Sequence, residues 1–151
     1  MEATFKAWKA GRKLFVKFFE QYNLDQLNAI PAGFSNNLIW NIGHIIVAQE
    51  SLVYRGSHQV MSISEELINA YKPGTRPLRP VSKEEVSQLN DLLIAQITRT
   101  ETDFKQGIFT SYIERETVTG FHLGSIEDAL EFNNFHEGLH LGYMMSIRKF
   151  I

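Results

Sequence analysis

The chain has no cysteine, which excludes disulfides, thiolate metal ligands and cysteine nucleophiles together and leaves imidazole and carboxylate as its metal-binding groups. The same absence fits a reducing compartment, and a cytoplasmic location is expected. Nor is there an excess of positive charge: 15 Lys and Arg against 17 Asp and Glu give a net charge of −2, so no broad field gathers phosphates and nucleic acid is not the expected partner. No apolar run is long enough to span a bilayer, and Met1 leads into a lysine-bearing amphipathic stretch rather than a signal sequence, so no membrane association is expected. Proline is scarce, and three of the four (Pro73, Pro77 and Pro80) fall in one segment, from Lys72 to Pro80, which breaks the helical pattern as a crossing loop. At 151 residues the chain is about one ordinary domain with one core.

What is present is helical periodicity. From about Ala3 to Gln21, Phe5, Trp8, Leu14, Phe15, Phe18 and Phe19 recur at the spacing of an amphipathic helix. A connection from Tyr22 to Gly33 ends at Ser35, read as the N-cap of a second long helix that runs to about Arg55, with Gly56 as terminator. A short helical piece is predicted near Ser62, with Glu65 at capping-box spacing. Ser82 and Glu85 open the third long helix, which runs through about Asp103, and Ser125 and Asp128 open the fourth, toward Lys149. Residues 105–124 read as a short extended pair or an ordered loop. The fold class predicted is all-α, a four-helix bundle with a long crossover connection between the second and third long helices.

The fourth helix carries His136-Glu137-Gly138-Leu139-His140, whose imidazoles, four residues apart, leave one face about one turn apart and can reach one ion. Its inward stripe is predicted as Ile126, Ala129, Leu130, Asn133, His136, His140, Tyr143 and Ile147. Polar side chains there must find partners, so the alternative is a pair of core histidines bonded to backbone or water. His-Glu-x-x-His also matches the zinc-peptidase signature, with the glutamate as general base. Residues 141–151 contain no His, Asp or Glu, however, and position 146 is Ser146, so a third protein ligand has to lie upstream. Of the upstream histidines, His58 and His122 read as loop residues. His44 sits mid-helix in a nearly uncharged sequence and is predicted to be buried. Glu50 lies about 9 Å of helix rise farther along, too far to be an easy fourth ligand. Three imidazoles with free coordination positions suit zinc, nickel or ferrous iron.

The segment Asn36-Asn37-Leu38-Ile39-Trp40-Asn41-Ile42-Gly43-His44, with His136-Glu137-Gly138-Leu139-His140-Leu141-Gly142, resembles the DinB-like (YfiT-like) metalloenzyme superfamily over essentially the whole chain. The resemblance implies one divalent metal bound by His44, His136 and His140 inside a four-helix bundle. It also implies metal-dependent hydrolase or low-molecular-weight-thiol-dependent transferase chemistry on a small molecule, and a homodimer.

On that reading the ion works as a Lewis acid on a bound water or thiol. Glu137 is the candidate catalytic base; its alternative role is to support a ligand or to sit in solvent. Asn133 is assigned a structural role, Trp40 and Tyr143 are candidates to line the pocket, and Gly138 and Gly142 suggest close packing or room beside the metal. The competing functions are a stress-response protein whose metal is structural and, ranked lower, the peptidase.

Overall fold

The computed structural model describes residues 1–151 and is mostly helical. Its helices are α1 (Glu2–Gln21), α2 (Leu24–Asn28), α3 (Leu38–Gln49), α4 (Glu65–Tyr71), α5 (Lys83–Lys105) and α6 (Ile126–Ile147). A two-residue antiparallel pair, β1 (Arg115–Glu116) with β2 (His122–Leu123), is the only sheet and supplies the extended pair allowed for in residues 105–124. No helix is long and apolar enough to cross a membrane.

Three of the four long helices, α3, α5 and α6, begin where side chains satisfy their first free N–H groups; α1 starts at Met1 without a side-chain cap. Ser82 and Glu85 form both bonds of a capping box at α5. At α6, Ser125 accepts from the Asp128 N–H, while the Asp128 carboxylate accepts from the Gly124 N–H. Two caps differ from expectation. The second long helix starts two residues later than predicted, at Asn37, whose side chain accepts from the Trp40 N–H at 2.8 Å. The short α4 is capped by Ser64 rather than Ser62, because the Ser62 hydroxyl and N–H are committed to the buried carboxylate of Glu50. The connection before α3 also holds the unpredicted α2, closed by Asn23 and Gln26 in a capping box.

Every residue of α3 is buried, which follows from a sequence with no charge between Leu38 and Gln49. α1 packs against α5 and α6, and α3 packs against the same two helices, so α3 and α6 face each other along the core. Beyond Gln49 the second helix continues through a π-helical turn, Glu50–Tyr54, and a short 3-10 turn, Arg55–Ser57. A wider turn changes which side chains face inward; here it buries Glu50, Leu52, Val53 and Tyr54 in succession.

Gly43 marks the closest approach of α3 and α4, since a Cβ there would lie 2.4 Å from the Tyr71 ring. Gly43→Ala is expected to cost about 1–3 kcal/mol through overpacking. Urea denaturation measures it, and unchanged stability would mean the helices have room to part.

Candidate metal centre

The two histidines of α6 leave its α3-facing side one turn apart, and His44 projects toward them from the middle of α3. Ring centroids are 4.6 Å apart for His136 and His140, 4.7 Å for His44 and His140, and 5.2 Å for His44 and His136. One ligand atom from each of the three lies within 4.8 Å of the others. Residues from two distant stretches of sequence therefore meet at a point, and no other His, Asp or Glu belongs to that group.

Two of the rings are held by their far nitrogens. His44 Nδ1 lies 2.8 Å from the Tyr71 carbonyl oxygen, and His140 Nδ1 lies 2.8 Å from Asn41 Oδ1. A carbonyl or amide oxygen can only accept, so each Nδ1 carries the proton and each Nε2 presents a lone pair. Asn41 is itself oriented, because its Nδ2 donates to Asn36 Oδ1 at 3.0 Å and to the Asn37 carbonyl at 2.7 Å. Trp40 stacks on His44 at 4.9 Å and fixes the plane of that ring. His136 Nδ1, by contrast, is buried without a hydrogen-bond partner. An imidazole nitrogen left so has paid for desolvation without compensation unless an ion takes its lone pair. Three imidazoles, two with their tautomer fixed and one with an orphaned nitrogen, fit a divalent cation of the zinc, nickel or ferrous class.

Burial keeps all three rings neutral, as a ligand must be. Desolvation, aided by neighbouring His44, holds His136 down at about 4; desolvation with His136 and His44 nearby holds His140 at about 3. His44 is also lowered by desolvation, against the opposing pull of its bond to the Tyr71 carbonyl. An unfolded chain, with ordinary imidazoles near 6.5, binds protons that the folded metal-free protein refuses. This contribution to stability is therefore full above about pH 6.5 and is lost progressively as pH falls toward about 3. Urea midpoints of the metal-free protein at about pH 7.5 and about pH 5 read that slope. A His136→Ala/His140→Ala variant should show a shallower fall; an identical fall would place the acid sensitivity elsewhere.

Asn41→Ala removes the oxygen that orients His140 and is expected to weaken zinc binding by about 10–100-fold. Competition with a chromogenic chelator measures it, and unaltered affinity would deny Asn41 its positioning role.

Glu137 does not join the cluster. Its carboxylate turns toward α1, where it accepts from Trp8 Nε1 at 2.8 Å, Arg12 Nε at 2.8 Å and Arg12 Nη2 at 2.6 Å, and it also accepts from Asn133 Nδ2 of α6 at 2.8 Å. Three of these donors reach Oε1 and one reaches Oε2, so the geometry favours the alternative supporting role over that of catalytic base. The peptidase reading would need this same carboxylate as its general base. Asn133 donates its bond from one turn earlier in the same helix.

Other expectations change as well. Tyr143 is not on the inward stripe: it is 37% exposed, packs edge-on against Phe34, and lines an open cleft of about 290 Å³ with Asn41 and His140. A methyl group added at Gly138 or Gly142 would meet nothing within 4 Å, so neither glycine marks a close contact. His58, exposed in the left-handed region at φ 58°, and His122, exposed in β2 and 3.4 Å from Glu114, stand apart from the cluster. Glu50 is buried and taken by Ser62, Gln96 and Arg99, so it offers no fourth ligand.

Sequence reasoning missed Arg12 and Asn41. Arg12 falls between Trp8 and Phe15 on the apolar stripe of α1, and that placement of a charge was the available signal. Asn41 precedes His44 by just under one turn, which gave no signal that it serves His140 instead.

The family model described as the DinB superfamily matches residues 7–144. Among solved structures, the chain is similar to a conserved protein of Enterococcus faecalis, at a TM-score of 0.69 and 14% identity, over 99% of this chain and 95% of that one; this likeness concerns the fold. No curated protein matches the sequence.

Proposed function

Since the chain belongs to the DinB superfamily, we propose that it is a metal-dependent enzyme acting on a small molecule, with one divalent ion held by His44, His136 and His140. The observation that carries this reading is the convergence of three neutral imidazoles with no fourth protein ligand. Structural zinc sites close their coordination with four protein ligands, whereas catalytic ones keep a position free. When bound, the ion supplies a Lewis acid. The chain's own residues hold His44 and His140 in one tautomer and orientation through Tyr71, Asn41 and Trp40, and burial keeps all three rings unprotonated.

Hydrolysis and low-molecular-weight-thiol transfer are the two reaction classes we assign to such a site. Glu137 is paired with Arg12 and is not assigned the role of base in either. In the wider reading, α1, α3, α5 and α6 form a four-helix bundle, and α4 with the 72–80 segment makes the crossover from α3 to α5; the packing of α1 and α3 on the same two partners supports it. We further propose a cytoplasmic homodimer, with exposed Phe135 and Leu139, one turn apart on α6, as apolar contact surface.

A small-molecule screen with and without added thiol, run on zinc-, nickel- and iron-loaded protein beside His136→Ala, tests the activity. Turnover by the wild type that is absent from the variant is the expected result. Equal turnover by both would remove the site from the chemistry.

A further inference from the structure

A cavity of about 290 Å³ opens beside the imidazoles, with His44 and His136 in its wall. That volume is at the small end of ligand pockets. Val47, Leu52, Ile68 and Phe132 give it an apolar body. Its charged lining is one-sided: Arg55, Lys72 and Arg115 line it, and no Asp or Glu does. These cations come from three separate places, the 3-10 turn after α3, the end of α4, and β1. Their convergence is therefore a product of the fold and not of a basic run in the sequence.

None of the three is neutralised by a salt bridge. The partner of Lys72 Nζ is neutral, the Asn69 amide oxygen at 2.8 Å. In a chain with a net charge of −2, three unpaired cations around one small cavity form a local field of opposite sign. The larger cavity of about 630 Å³, under the segment around Arg76 to Val81, differs: beside Arg76 its other cation, Arg79, is paired with Glu85 at 2.7 Å, and no histidine lines it.

We propose that the cavity beside His44 and His136 takes a small amphiphilic anion, a carboxylate or phosphate carried on a short apolar body. The anionic group lies among Arg55, Lys72 and Arg115, the apolar body lies along Val47, Leu52, Ile68 and Phe132, and the opposite end of the ligand faces the imidazoles. The proposal rests on the metal-enzyme reading for what happens at that end; the binding itself needs no metal.

Ligand-observed NMR titration of chelator-treated protein with hexanoate, hexyl phosphate and neutral hexanamide tests it. At least one of the anions is expected to bind about tenfold or more tightly than hexanamide, and to weaken as salt rises. Exposed cations contribute modestly one at a time, so Arg55→Gln, Lys72→Gln and Arg115→Gln should each weaken that anion about two- to fivefold, and the triple variant more than tenfold. Hexanamide equal to both anions, no binding by any probe, or full anion affinity in the triple variant would each overturn the proposal. Zinc stoichiometry measured on the same samples separates the two readings. Charge-dependent binding by a protein that takes up no zinc sinks the enzyme reading alone, and zinc uptake without charge-dependent binding sinks this proposal alone.

Discussion

Arg12→Ala is expected to lose about 3–5 kcal/mol of folding stability, seen as a large fall in the urea midpoint, while the protein that remains folded still binds metal. Arg12 is wholly buried and pairs with Glu137, which is 4% exposed, at 2.6 Å. Its remaining donors reach the Leu93 carbonyl at 3.0 Å and Gln49 Oε1 at 2.8 Å, and Gln49 in turn donates to Thr100 Oγ1 at 3.0 Å. One guanidinium thus ties α1 to α3, α5 and α6. Removing it leaves a carboxylate stranded in the core, and the cost of an unpaired buried charge exceeds what the intact pair contributes. The comparison that isolates this cause is Arg12→Leu with Glu137→Leu, which removes both charges and should recover part of the loss. Recovery stays partial because Trp8, Gln49 and Asn133 lose a partner. A midpoint for Arg12→Ala within about 1 kcal/mol of wild type would show that the pair is solvated in solution.

The second large effect concerns the imidazoles. His136→Ala and His140→Ala are each expected to abolish stoichiometric metal binding, a greater loss than Asn41→Ala gives, because each removes a donor rather than its support. His44→Ala should do the same, and it separates two roles for that residue. A satisfied core histidine would, on replacement, cost stability and leave metal affinity intact; a ligand costs affinity. For the α6 variants, metal content after purification is the informative quantity. Full occupancy in both α6 variants would remove the site.

Much of this was legible because it is periodic. Helical spacing located the long helices, capping residues marked α5 and α6, and the four-residue interval of His136 and His140 put both rings on one face. His44 was legible from an uncharged setting that only a buried helix tolerates. What escaped depends on partners distant in sequence. Glu137 adjoins His136, yet each residue turns about 100° around a helix, and whether that direction meets metal or Arg12 is decided 125 positions away in α1. Tyr143 fits the inward period of α6 but finds Phe34 at the surface, since the connection before α3 covers that end. The π-helical turn at Glu50–Tyr54 left no periodic trace, because one wide turn resets the phase without changing composition. Arg55, Lys72 and Arg115 were likewise unremarkable as sequence, and only the tertiary arrangement gathers them at one cavity.

X-ray absorption spectroscopy of protein loaded with one equivalent of zinc bears most directly on the whole account. Three imidazoles in the scattering shell, the rest of the coordination made up by light exogenous atoms, and one fewer imidazole in a variant lacking His44 are the predicted outcome. A shell with one imidazole or none would contradict it.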